Sequence, residues 1–143
     1  MLAKPILIAN LGCRKTNYIF MDIRFRLAEE TDKELALQMM EAFHAIDNYP
    51  FDAKVMAPIF LKLIQNKELG RFWLISFDDE VVGYVVLAFG YSFEYLGRDA
   101  FIDEFYLEES YRNKGIGQQT LDFVFDEAKK LGVNVLHLEL ERH

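Results

Sequence analysis

Residues Tyr111–Gly117 read YRNKGIG, which sets Arg112 and Lys114 immediately ahead of Gly115 and Gly117. An amphipathic run follows and stops at Gly132, so the basic residues and glycines stand at the mouth of a helix. The first N–H groups of a helix have no intrahelical partner and carry partial positive charge, so they attract anions. Glycines there remove Cβ atoms and let an anion approach the backbone. Arg112 and Lys114 add formal charge beside it. The chemistry such a turn offers is capture of a phosphate or pyrophosphate. The spacing is neither GxxxxGK[ST] nor GxGxxG, so neither a P-loop nor a dinucleotide fingerprint is present. An ordinary strand-to-helix turn with solvated basic residues uses the same residue types, and the short motif alone does not choose between the two.

Other chemistry-bearing residues are sparse. The three histidines, His44, His137 and His143, and the single cysteine, Cys13, show no metal-ligand spacing, and one cysteine cannot form an intramolecular disulfide. The formal net charge of −7 argues against a general nucleic-acid surface and favours cationic or amine-bearing partners. No apolar run approaches the roughly 20 residues of a membrane helix. With 143 residues, half of them apolar, and thirteen Phe and seven Tyr, the chain fits one folded domain.

The elements that must hold the basic turn are readable from periodicity. "MDIRFRLA", from Met21 to Ala28, alternates apolar and polar residues as a strand does. Thr31 or Asp32 can cap a following helix whose apolar residues Leu35, Met39, Ala42, Phe43 and Ile46 recur at helical spacing. Pro50 breaks it, and a second helix is expected over 52–66, with Pro58 as an obstacle able to kink or split it. "RFWLISF", "DDE" and "VVGYVVLAFGY" read as a strand, a tight turn and a strand, with Gly83 hinting at a bulge. "GRD" then turns into the strand "AFIDEFYLEE". A helix from about Gly115 to Leu131 carries a broad apolar face: Ile116, Leu121, Phe123, Val124, Phe125, Ala128 and Leu131. "VNVLHLELE" is a last strand, expected parallel to the one before the helix. The order β-α-α-β-β-β-α-β makes a mixed α/β sheet and excludes a Rossmann array. Residues 1–20, "MLAKPILIANLGC" onward, read as an appended extension before a domain at 21–143, in preference to an export signal. A cytoplasmic location is the default expectation.

"RNKGIG" matches the Arg/Gln-x-x-Gly-x-Gly/Ala signature of the GNAT family of N-acetyltransferases, and the flanks agree. "AFIDEFYLEESYRNKGIGQQTLDFVFDEAKKLGVNVLHLELER" resembles that family's strand–helix–strand core, "IRFRLAEETDKELALQMM" its opening strand and helix, and "DDEVVGYVVL" its central hairpin. The resemblance runs from about Met21 to Arg142. It implies a GNAT-like fold with an acetyl-CoA site, acetyl-CoA serving as cosubstrate and no metal taking part. The CoA pyrophosphate would sit on Arg112, Asn113, Lys114, Gly115, Ile116 and Gly117. Pantetheine would extend the sheet along Phe105, Tyr106 and Leu107, between two splayed strands, and a backbone N–H near Phe105 would polarise the thioester carbonyl.

The same resemblance implies direct transfer of acetyl to a primary amine, for which a carboxylate or water must take a proton. Asp103 and Glu104 are the catalytic candidates. Strict alternation puts them on opposite faces, so one should reach the cleft, and the parity of Asp103 with Phe105 and Leu107 favours Asp103. Asp47, Tyr49, Tyr91 and Glu94 fall where the family builds its acceptor pocket. The acceptor itself stays open among polyamines, aminoglycosides, amino acids, peptide N-termini and protein lysines. After "ELERH" the family pattern would continue with a helix and two strands. Their absence from the sequence suggests a C-terminally short fold with no general acid to carry over. It also leaves an exposed last strand that a homodimer could cover. The alternative function is a non-catalytic GNAT fold kept for acyl-CoA binding or protein interaction.

Overall fold

A computed structural model of the chain describes residues 22–139. The expected N-terminal extension, up to residue 21, and residues 140–143 lie outside them. Five strands form one sheet in sequence order: β1 (Ile23–Leu27), β2 (Gly70–Phe77), β3 (Glu80–Ser92), β4 (Gly97–Leu107) and β5 (Val135–His137). Neighbours are antiparallel except β4 and β5, which run parallel around helix α3 (Ile116–Lys130). Helices α1 (Lys33–Ile46) and α2 (Ala53–Gln65) join β1 to β2.

Two apolar layers hold the sheet between the helices. On one face Trp73, Ile75, Val85, Leu87, Ala100, Ile102 and Leu107 pack with Ile116 and Val124 of α3. On the other Phe72, Leu74, Tyr84 and Val86 pack with Ala36, Met39 and Met40 of α1 and Phe60 of α2. The buried stripe of α1 is therefore rotated from the sequence expectation. Ala36, Met39 and Met40 face the core, whereas Leu35 and Ile46 are exposed, because the spacing i, i+3, i+4 can be started from either apolar set and tertiary packing selects one. In α3 the inward row is Ile116, Thr120, Val124, Ala128. Thr120 fits there because its hydroxyl donates to the Ile116 carbonyl at 2.8 Å. Pro58 sits inside a single helix α2 and does not split it.

Three local features differ from, or sharpen, the sequence expectation. Asp78 and Asp79, both with positive φ, make the two-residue turn between β2 and β3, which is what a tight hairpin requires. The next turn is Phe93–Leu96, since Ser92 already pairs with Gly97; "GRD" is the start of β4, not a turn. The last strand is three residues long, not nine. β4 carries a bulge: Val86 pairs with Glu104 and the next residue, Leu87, with Ile102, leaving Asp103 as the extra residue. A bulge bends its strand and raises its twist, and β5 follows β4 only through Asp99–Phe101. Beyond Phe101 no described strand pairs with that edge of β4, so the two strands form a fork. A second register shift, opposite Ile75 and Ser76, falls beside Gly83 as the sequence suggests.

Candidate active site

One arm of the site is the entry to α3. Gly115, the residue preceding the helix, has φ of 84°, and Asn113 has φ of 61°. Glycine is the residue that takes the left-handed region without steric cost. Ile116 is fully buried and anchors the first turn in the core. No side chain caps the helix, so its first N–H groups point outward from a turn bounded by two cations. Arg112 donates from Nε to the Leu107 carbonyl at 2.9 Å, and its guanidinium lies 5.8 Å from the Tyr106 ring centre. The Lys114 ammonium stands 5.5 Å from the centre of the Tyr111 ring. These contacts tether both cations at the turn, and their charged ends are exposed. The arrangement fits an anionic group on the helix entry. The unpaired edge of β4, leading from Leu107 back to the fork, fits an extended chain bearing amides.

The other arm is a cleft of about 900 Å³ at the fork. One wall is the end of α1 and the loop after it: Phe43, His44, Ile46, Asp47, Tyr49 and Pro50. The opposite wall is β4 from Phe101 to Phe105, with His137, Leu138 and Glu139 of the last strand and its extension. Both Asp103 and Glu104 line it. The bulge explains why: it breaks the alternation that would have sent them to opposite faces, and it inverts the parity argument. Asp103 is exposed on the bulge, whereas Glu104 shares the face of Val86 and Tyr84 and is mostly buried.

Glu104 is also the better held of the two. Its Oε2 lies 2.9 Å from His44 Nε2, and its Oε1 accepts the Tyr84 hydroxyl at 2.8 Å. Tyr84 is fully buried, stacked on Phe72 with ring centres 5.0 Å apart. Burial, then the charge and hydrogen bond of Glu104, push the Tyr84 hydroxyl far above its usual pKa, so it stays protonated and donates. Glu104 is thus a carboxylate fixed at both oxygens from two different elements, with a face on the cleft.

Among the remaining expected site residues, Asp47, Tyr49 and Phe105 line the cleft. Tyr91 and Glu94 do not: they lie at the far end of the β3–β4 hairpin, where Tyr91 is 81% exposed. Tyr106 and Leu107 serve the cradle, the first by its ring and the second by its carbonyl. Sequence reasoning missed His44, Tyr84, Phe101 and His137. His44 closes the helix that ends at Ile46, and His137 sits in the strand expected to follow the crossover. In the sequence their spacing speaks only to metal ligation, and the signal that could have found them is their placement opposite β4 carboxylates. No group of three or more His, Cys, Asp or Glu side chains is placed to hold a metal ion among the described residues. No described helix is long and apolar enough to cross a membrane.

A helix entry flanked by two cations, a forked parallel strand pair and a carboxylate-bearing cleft at the fork lie together along β4. The family model described as "Acetyltransferase (GNAT) family" matches residues 35–143, and the chain belongs to that family. No curated protein matches the chain. Among solved structures, an integron cassette protein from the mobile metagenome of Cole Harbour Salt Marsh is 33% identical, with a TM-score of 0.77, covering 81% of this chain and 76% of its own. A predicted acetyltransferase from Clostridium acetobutylicum, solved with acetyl-CoA, is 20% identical with a TM-score of 0.72, covering 84% and 82%. A ribosomal-protein-alanine N-acetyltransferase from Brucella melitensis biovar Abortus 2308 is 19% identical with a TM-score of 0.68, covering 84% and 81%. The last two are similar in fold.

Proposed function

We propose that the chain moves the acetyl group of acetyl-CoA to a primary amine by direct attack. The observation that carries this reading is Glu104, held by His44 and Tyr84 on a cleft that opens where β4 and β5 part. An amine reaches the cleft protonated and must lose a proton to become a nucleophile. Glu104 is the base that takes it, while Asp103, on the same cleft but exposed, helps draw the cation in. Among the described residues, the cleft lining includes Asp47, Asp103, Glu104 and Glu139 and no lysine or arginine, which suits an amine and disfavours an acceptor whose reactive end is anionic.

Arg112, Lys114 and the α3 entry would bind the CoA pyrophosphate, and the free edge of β4 would take the pantetheine amides. A backbone N–H of that free edge would meet the carbonyl oxygen as charge develops on it. No covalent acyl-enzyme is needed, and the one cysteine, Cys13, lies outside the residues that the family model matches.

The test has two parts. Calorimetric titration with acetyl-CoA should show saturable binding, weakened about 10- to 100-fold when Arg112 and Lys114 are both changed to Ala, on the scale of two charge-assisted contacts. Thiol release should then rise on adding amines from a mixed panel. Binding without thiol release for any amine would leave an acyl-CoA-binding module and overturn the transfer reading. Absence of binding in folded protein would overturn both.

A further inference from the structure

A second histidine–carboxylate pair stands on the β5 side of the same cleft. Asp99 of β4 is 6% exposed, and its Oδ2 lies 2.9 Å from Nε2 of His137, the last residue of β5. The fold makes room for this carboxylate. Asp99 pairs with Gly90 on β3, and a Cβ at Gly90 would stand 2.5 Å from Oδ1. The imidazole is fixed on its other sides by Phe101, stacked with ring centres 4.4 Å apart, and by Tyr95, edge-on at 5.2 Å. Held this way, the ring lines the cleft. Nε2 is occupied by Asp99, and Nδ1 has no hydrogen-bond partner among the described residues. Phe101 and His137 are also the last rung at which β4 and β5 pair, so His137 marks the vertex of the fork.

A buried carboxylate that fixes one ring nitrogen and leaves the other toward a cleft is the arrangement of a proton-transfer histidine. Glu104 already takes the proton of the amine. The other proton that thioester aminolysis must place is the one on the departing sulfur. We propose that His137, oriented by Asp99, is the general acid that protonates the leaving thiolate. The inference rests on the acetyl-CoA reading above, with the extended chain running along the β4 edge so that the thioester reaches the vertex.

The step balances as follows. The amine nitrogen bonds to the carbonyl carbon, and the carbon–sulfur bond breaks with its electron pair passing to sulfur. The ammonium's first proton has by then passed through Glu104 to solvent; as the neutral amine adds, Glu104 receives the second proton from nitrogen, and the protonated His137 gives one from Nδ1 to sulfur. The products are the amide and the CoA thiol, and the imidazole is left neutral with Nε2–H still donated to Asp99. The two side chains then exchange protons with solvent through the cleft. Asp99 and Tyr95 touch the ring, and Glu139, Glu104, Asp103, Asp47, Tyr49 and His44 share the cleft.

The test needs no acceptor amine. CoA is bound to the full chain and its thiolate is followed by ultraviolet absorbance against pH, with desulfo-CoA as the blank and calorimetry to confirm binding. Free CoA titrated under the same conditions gives the thiol's reference value. Beside His137 the bound thiol should ionise about one unit lower or more, through a thiolate–imidazolium pair, and His137→Gln should return it to the free value while CoA still binds. If CoA binds the wild-type chain and its thiol titrates as in solution, the inference is overturned and the acetyl-CoA reading stands. The same holds if the lowering survives in His137→Gln. If CoA does not bind at all, both fall. An unshifted wild-type titration overturns the inference even if the variant folds poorly.

Discussion

The cleft presents two histidine–carboxylate pairs with opposite layering. In His44–Glu104 both members reach the cleft, and the carboxylate has a second donor behind it, the buried Tyr84 hydroxyl. In His137–Asp99 only the imidazole reaches the cleft, and the carboxylate is sealed between β3, β4 and β5. The same two functional groups at the same 2.9 Å separation are therefore suited to different work. A carboxylate in front is an acceptor of protons and of cations; an imidazole in front, backed by a carboxylate, is a group that can carry a proton outward. Side-chain length contributes: the longer Glu104 reaches past the strand surface, whereas Asp99 stays over Gly90.

The sharpest way to break this comparison is Glu104→Gln. If the carboxylate is the base, acetyl transfer should fall about 10²- to 10⁴-fold, mostly in kcat, with acetyl-CoA affinity within about twofold by calorimetry. Asp103→Asn should cost less than about tenfold and act mainly on KM for the amine, as expected for a rim charge. A larger loss at Asp103 than at Glu104 would return the base to the bulge and empty the first pair of its role.

Tyr84→Phe removes one support from Glu104 without opening a cavity. The expected loss in kcat is about tenfold, on the scale of one hydrogen bond to a charged group. It should also change the stability profile in base. The folded-state pKa of Tyr84 is raised, so the folded chain keeps a proton that the unfolded chain releases above about pH 10. Stability from this group is present below that pH and declines above it, by about 1.4 kcal/mol per pH unit. The alkaline decline of the melting temperature should be shallower in Tyr84→Phe. An unchanged slope would mean that Tyr84 is not sealed as described.

The second pair is probed by Gly90→Ala. The new Cβ would press on Asp99 Oδ1 at 2.5 Å, and a neighbour that cannot retreat far costs about 1–3 kcal/mol. The carboxylate can turn only by loosening its bond to His137. A measurable drop in melting temperature should therefore accompany loss of the lowered ionisation of bound CoA thiol. A drop in stability with the thiol unaffected would make His137–Asp99 a strand fastener and nothing more.

Much of the fold was legible because it is written locally. The alternation in "IRFRL", the Asp78–Asp79 turn and the glycine ahead of Ile116 each report a backbone preference that needs no partner to act. The cradle residues Arg112 to Gly117 were legible for the same reason, being contiguous. The cleft was not, because it depends on one register event. A bulge at Asp103 adds a residue opposite Val86 and Leu87, and no residue type near it announces this. That single insertion reverses the parity of everything before it on β4 relative to everything after it. It takes the argument for the base from Asp103 to Glu104, and it ends the pairing with β5 so that a nine-residue strand expectation becomes three. Tyr91 and Glu94 were misplaced because Tyr91 turns out to solvent on the β3–β4 hairpin and neither residue lines the cleft.

The Arg26–Asp32 pair, exposed on its arginine side, sets the baseline against which both cleft pairs are judged. Its two hydrogen bonds, 2.7 and 2.8 Å long, are as short as any in the cleft, yet the Arg26 side chain is half exposed, while that of Asp32 is 12% exposed. The Arg26 hydrogen bond, with a lesser part from the Glu29 N–H and against the cost of burial, holds the Asp32 carboxyl below its usual pKa. A depressed carboxyl stabilises the fold above its unfolded value, near pH 3.9, and loses that contribution as pH falls through the folded value. Solvent screens such a pair, so Asp32→Asn should cost less than about 1 kcal/mol near neutral pH, and the difference from wild type should close on acidification below about pH 4. If this substitution instead destabilised the chain as much as Gly90→Ala, hydrogen-bond length alone would be setting the energetics, and the distinction drawn from burial between the surface pair and Asp99 would fail.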